Sequence, residues 1–142
     1  MQVLRRSTKP VRNTRSRSGA ALVETAIVLP VLLTLVVGSM EVTDAIFLKH
    51  SLKSATYEAA RKISLSGSTQ AQATTVANSV LTAYGVKGYT VSFSPTVTLA
   101  TTQGTVITVT ASAPMSSNRL FLSNVSGFSS RTFSASTTMT RQ

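Results

Sequence analysis

The sequence predicts an α+β protein in which a long N-terminal helix packs on a second helix and on a small antiparallel sheet. Three features of the chain support this fold class. An apolar run spans residues 20–37, apolar residues then recur every three or four positions to residue 65, and beyond Gly85 the apolar period becomes two. A helical period followed by a strand period indicates a helix packed against a sheet.

The apolar run is long enough to cross a membrane. Its 18 residues would form a helix about 27 Å long, which nearly matches the hydrocarbon core of a bilayer. Pro30 lies inside the run and should bend the helix, because proline removes one backbone donor and clashes with the preceding turn. Membrane helices tolerate such kinks, so Pro30 is compatible with a transmembrane helix.

Residues 1–19 form a basic arm in front of this run. The arm holds six of the fourteen Lys and Arg residues and no acid, so without it the net charge falls from +10 to +4. A basic arm can bind nucleic acid, but this one lacks the aromatic residues that stack on bases. The positive-inside rule predicts instead that the arm stays in the cytoplasm and that the chain after the run is exported.

Three interpretations of residues 1–40 remain open. The run could be a signal peptide cut near Gly38, although no Ala-x-Ala pattern precedes a cut there. It could be a plain, permanent membrane anchor. It could also be an anchor cut at its near end, between Gly19 and Ala20, where a small residue stands at the junction.

Glu24 is the one charged residue in the apolar run. A carboxylate at the bilayer centre costs roughly 2.5–3.5 kcal/mol, and less near the interface. A cut after Gly19 would free an α-amine on Ala20, four positions before Glu24 and therefore on the same helical face. The acid could pair with that amine or with the amine of a neighbouring subunit. Alternatively, Glu24 could reach the headgroups and have no partner.

Beyond residue 37 the helix is predicted to continue to residue 65, with Gly67 ending it. The predicted apolar stripe comprises Val42, Ala45, Ile46, Lys49, Leu52, Ala55, Thr56, Ala59, Ala60 and Ile63. A second helix should begin after the capping sequence at residues 68–70 and end at Gly85. Its predicted stripe comprises Ala73, Val76, Ala77, Val80, Leu81 and Tyr84.

The rest of the chain alternates apolar with Ser and Thr residues, which predicts strands. The alternating runs lie at residues 89–94, 97–99, 107–112 and 133–139, with a turn predicted at 101–104 and an apolar loop cluster at 120–122. The predicted organisation is therefore a basic leader (1–19), a transmembrane and extended helix (20–65), and an extracytoplasmic helix and sheet (66–142).

The sequence offers little for catalysis. It has no cysteine, one histidine (His50) and four acids, so thiolate chemistry is excluded. We expect His50 to lie at the surface or in a packing role, and Glu41, Asp44 and Glu58 to lie on a solvated helix face. No phosphate-binding loop, zinc-ligand spacing or nucleophile elbow is found. We therefore expect no enzyme activity, no cofactor, no metal and no small-molecule substrate.

Residues 17–30 and 39–42, together with the helical segment at 53–61, resemble the TadE-like pseudopilins of tight-adherence (Flp) pili, which are similar to type IV pilins. The last predicted strand, at 133–141, resembles that family's final strand. Most of the similarity lies within residues 17–65. Thr25 stands where the family usually has an aromatic residue after the acid.

The resemblance implies a pilin-like fold and cleavage by a prepilin peptidase between Gly19 and Ala20, with Glu24 acting in assembly. It implies a single-pass protein of the bacterial inner membrane with a periplasmic C-terminal domain. Its partners would be other pilin subunits and the pilus assembly machinery, and its role would be that of a minor pilin in assembly and adhesion. The alternative is a permanently anchored periplasmic binding or adhesin module that is never processed.

Overall fold

The computed structural model describes residues 15–118 and 131–142. Most of the basic arm and the predicted loop cluster at 120–122 lie outside these residues. The elements are α1 (Arg15–Ser64), α2 (Gln70–Ala83), β1 (Thr90–Ser94), β2 (Val106–Pro114), a short 3-10 helix (Met115–Ser117) and β3 (Thr132–Thr140). The architecture confirms the predicted α+β class. The chain divides into two compact units, Met1–Gly38 and Ser39–Gln142.

In the first unit, α1 is helical from Arg15 and continues through Pro30. It therefore begins earlier than the predicted residue 20. Every residue from 19 to 36 is exposed, since no other described residue of the unit packs on this stretch. The apolar character of the segment is thus not explained by a protein core, and the bend expected at Pro30 remains a prediction.

In the second unit, α1 supplies one side of the core and ends at Ser64. The predicted stripe is right from Leu52 onward but wrong for Val42, Ile46 and Lys49, which are exposed. The buried stripe begins at Leu48, which the spacing did not select. Three- and four-residue spacing fits adjacent helix faces equally well, and only the position of the sheet decides which face is covered.

The second helix, α2, has the predicted ends. Thr69 is its N-cap, and a capping box joins the Thr69 side chain to the Gln72 amide and the Gln72 side chain to the Thr69 amide. Gly85 follows the helix with φ +70, a left-handed conformation that costs glycine little. Ala73, Ala77 and Leu81 are buried, as the spacing predicted.

The three strands form one antiparallel sheet in the order β1-β2-β3. The inward residues of the central strand are at most 1% exposed: Ile107, Val109, Ala111 and Ala113. They pack with α1 and α2 in two core clusters, one containing Leu48 and Leu52 and the other Ile63. The sheet therefore covers the helices with one face only, as expected for an antiparallel sheet with a solvated second face.

The alternation at residues 97–99 does not form a strand. Val97 is buried, and its amide donates to Oε1 of Gln70 at 3.2 Å. Leu99 is 69% exposed. A side-chain acceptor from α2 satisfies the backbone group that a strand would have paired, so the segment belongs to a loop.

Two contacts join α1 to β3 and to the residues that follow it. The hydroxyl groups of Thr56 and Thr137 lie 2.9 Å apart, and the amide of Gln142 donates to the carbonyl of Ser64 at 2.8 Å. Thr56 is fully buried, and its hydroxyl also donates to the carbonyl of Lys53 in its own helix at 2.9 Å.

The burial pattern of α1 predicts that substitutions at two residues of the predicted stripe change stability by very different amounts. Leu52→Ala should lower the free energy of unfolding by about 2–5 kcal/mol, because it leaves a cavity in the core. Ile46→Ala is the matched control, since Ile46 is 64% exposed, and it should change stability by less than about 0.5 kcal/mol. Thermal or denaturant unfolding of the purified chain in detergent measures both, and equal losses would contradict the observed burial.

Candidate functional site in the N-terminal helix

The predicted processing and assembly residues all lie in α1. Gly19, Ala20 and Glu24 are exposed, and Ala20 and Glu24 are one helical turn apart because both belong to the same helix. A Cβ atom placed on Gly19 would meet nothing within 4 Å. The small residue at the junction is therefore not required by packing within the described chain.

Polar side chains in the apolar segment differ in how they are satisfied. The hydroxyl of Thr25 donates to the carbonyl of Ala21 at 2.9 Å, and that of Thr34 donates to the carbonyl of Pro30 at 2.8 Å. Both hydroxyl donors are thus satisfied within the helix, as a membrane environment requires. Glu24 forms no ion pair with any side chain that the structure describes.

Glu24 borders a shallow depression on one side of α1, lined by Glu24, Thr25, Val28, Leu29 and Leu32. All five residues are exposed. The depression joins one carboxylate to an otherwise mostly apolar surface.

The helix around this depression is apolar and uncovered. The large apolar residues between 22 and 36 are 47–71% exposed: Leu22, Val23, Ile27, Val28, Leu29, Val31, Leu32, Leu33, Leu35 and Val36. Within the described residues, one helix is long and apolar enough to cross a membrane. Because exposed apolar patches of this size are rare on soluble monomers, this helix could span a membrane.

The remaining acids do not match the predicted solvated face. Glu41, Asp44 and Glu58 are half-buried, whereas His50 is exposed. The prediction of a surface or packing role for His50 is consistent with its exposure.

The sequence analysis missed a cleft of about 340 Å³ in the second unit. The rings of Phe47 and Tyr84 meet edge to face at its rim, with centroids 5.8 Å apart, and Asp44 also lines it. The Asn118 side chain shapes the cleft by accepting from the Lys87 amide at 2.7 Å and donating to the Pro114 carbonyl at 2.8 Å. Phe47 and Tyr84 are far apart in the chain, so no local pattern indicates that they meet.

Comparison with known protein families gives a match to part of the chain. The family model of TadE-like proteins matches residues 19–61, a segment that begins at the predicted processing junction and ends near the end of α1. No curated protein and no solved structure matches the chain. Both α2 and the sheet lie outside the matched segment. The match confirms the resemblance seen in the sequence: over residues 19–61, the chain is similar to TadE-like proteins.

Proposed function

We propose that this protein is a minor pilin or pseudopilin of a tight-adherence pilus that acts in pilus assembly and surface adhesion. The TadE-like match over residues 19–61 carries the proposal, because that segment holds the junction, the acid and the long helix together. The proposed role is structural, and it requires neither catalysis nor a cofactor.

In this proposal, α1 anchors the protein in the inner membrane before assembly. The uncovered apolar side chains of residues 22–36 support an anchor, since lipid would remove their surface from water. The basic arm supports an orientation with the N-terminus in the cytoplasm and residues after the span in the periplasm.

Assembly would follow cleavage by a prepilin peptidase between Gly19 and Ala20. The new α-amine on Ala20 would be a cation beside an apolar helix, and Glu24 has no ion-pair partner among the described side chains. Pairing of the Glu24 carboxylate with the Ala20 amine of a neighbouring subunit would compensate both charges. Because this ion pair joins the Glu24 carboxylate of one subunit to the Ala20 amine of the next, it would also set the axial register between subunits.

Processing predicts that co-expression with a prepilin peptidase shortens the chain by residues 1–19, and that Gly19→Leu blocks the cut. The matched control is Gly38→Leu, because a Cβ at either glycine meets nothing within 4 Å. Neither substitution should disturb folding of the chain. N-terminal sequencing of the membrane-extracted protein measures the outcome.

If the native protein retained Met1, the processed-subunit proposal would fail and the permanently anchored module would replace it. If Gly19→Leu and Gly38→Leu blocked cleavage equally, the effect would come from the altered anchor and not from the junction.

Pairing of Glu24 predicts that Glu24→Gln enters the membrane normally but is poorly incorporated into pili. A charge-assisted hydrogen bond contributes about 1.5–3 kcal/mol, so its loss should lower the affinity at each contact roughly ten- to a hundredfold. Glu24→Asp should be intermediate, because it keeps the charge but reaches less far. The measurement is the amount of each variant in sheared surface filaments, relative to its amount in the inner membrane.

Thr25→Val is the control for this experiment. Thr25 lines the same depression as Glu24, but its hydroxyl is bonded within its own helix, so incorporation should stay near the wild-type level. Equal incorporation of wild type and Glu24→Gln would show that the carboxylate only reaches toward the headgroups.

A further inference from the structure

The sheet has two edge strands that lack the usual protection against pairing. Within the described residues, β1 and β3 each pair only with β2. Neither strand contains a charged residue, a glycine or a proline. Proteins normally block exposed edges with such residues, because an open edge offers unpaired amide and carbonyl groups to another chain.

We propose that copies of this protein associate edge to edge, with β3 of one copy pairing in parallel with β1 of the next. The occupant of each edge is thus a second copy of the same chain. The proposal deepens the subunit role proposed above, because it names a contact made by the domain outside the TadE-like segment.

Incomplete burial of the edge strands supports a further strand at each edge. The inward residues of β2 are at most 1% exposed. The inward residues of the edge strands are only half-buried: Val91 and Phe93 on β1, and Phe133, Ala135, Thr137 and Met139 on β3. An added strand that also turns its apolar residues inward would bury these side chains further. Both β1 and β3 alternate in this way, so each could be the added strand for the other.

The opposite face of the sheet is equally compatible with this pairing. It carries a hydroxyl grid of nine Ser and Thr residues in three cross-strand rows: Thr90, Ser112 and Ser134; Ser92, Thr110 and Ser136; Ser94, Thr108 and Thr138. Because the grid is uncharged at both edges, a second copy would extend it without repulsion between like charges. A join between β3 and β1 keeps apolar residues on one face and hydroxyls on the other.

Strand direction selects this join over pairing of β3 with β3. Since β1 and β3 are both antiparallel to β2, they run in the same direction. Parallel pairing of β3 with β1 therefore leaves all copies in one orientation, as expected for chains inserted into one membrane in the same sense. Antiparallel pairing of two β3 strands would reverse the strand direction in the second copy. Head-to-tail contacts of this kind can also continue from copy to copy.

The test uses single-cysteine variants of the full chain, which has no cysteine of its own. Ser136→Cys on β3 and Ser92→Cys on β1 lie in the same row of the grid and are exposed. The two variants, with different epitope tags, are expressed together in the host membrane and treated with a short bifunctional thiol reagent. We expect dimers that carry both tags to form several-fold more efficiently than dimers of either variant alone.

Thr110→Cys on the central strand is the control. Thr110 lies in the same row of the grid as Ser92 but one strand further from the proposed contact. When Thr110→Cys replaces Ser92→Cys as the partner of Ser136→Cys, the two cysteines would lie about 10 Å apart at the usual strand spacing. Cross-linking should therefore fall to background. Efficient cross-linking of Ser136→Cys with itself would overturn the proposal in favour of inverted copies. Absence of cross-links in cells that incorporate the variants normally into pili would overturn it while leaving the proposed subunit role intact.

Discussion

The rest of the structure depends on how the apolar surface of α1 is buried, and the two parts of this helix differ in that respect. From residue 19 to 36 the helix is mostly apolar and exposed, while from Leu48 to Ile63 it forms one wall of the core. Burial of apolar surface stabilises the second part. The first part is not covered by any other described residue, and this part of the helix could span a membrane.

The three-stranded sheet buries the apolar side chains of α1 from Leu48 to Ile63. Its central strand, β2, is fully buried on the inward side, and the hydroxyl groups of Thr56 and Thr137 tie α1 to β3. The domain has no disulfide, because the chain has no cysteine. Its stability therefore rests on packing around β2, and the less covered edge strands are where an additional chain would contribute most.

The polar side chains of the apolar helix differ in how their hydrogen-bonding groups are satisfied. Thr25 and Thr34 donate to carbonyl groups of their own helix, so neither requires an external partner. Glu24 has no comparable compensation among the described side chains, and a carboxylate is the most costly group in this segment. The depression beside it joins the carboxylate to apolar surface.

The sequence by itself determined the elements whose signals are local: the apolar run, the capping box at Thr69, the turn at Gly85 and the alternation of β2. It also determined the position of Glu24 one turn after Ala20, and residues 17–65 were enough to indicate the family. Only the tertiary structure decided that Leu48 and not Ile46 faces the core, that Val97 bonds to Gln70 instead of forming a strand, and that Phe47 meets Tyr84. Local spacing fixes the period of an element, whereas the choice of buried face and distant partner depends on how the elements pack.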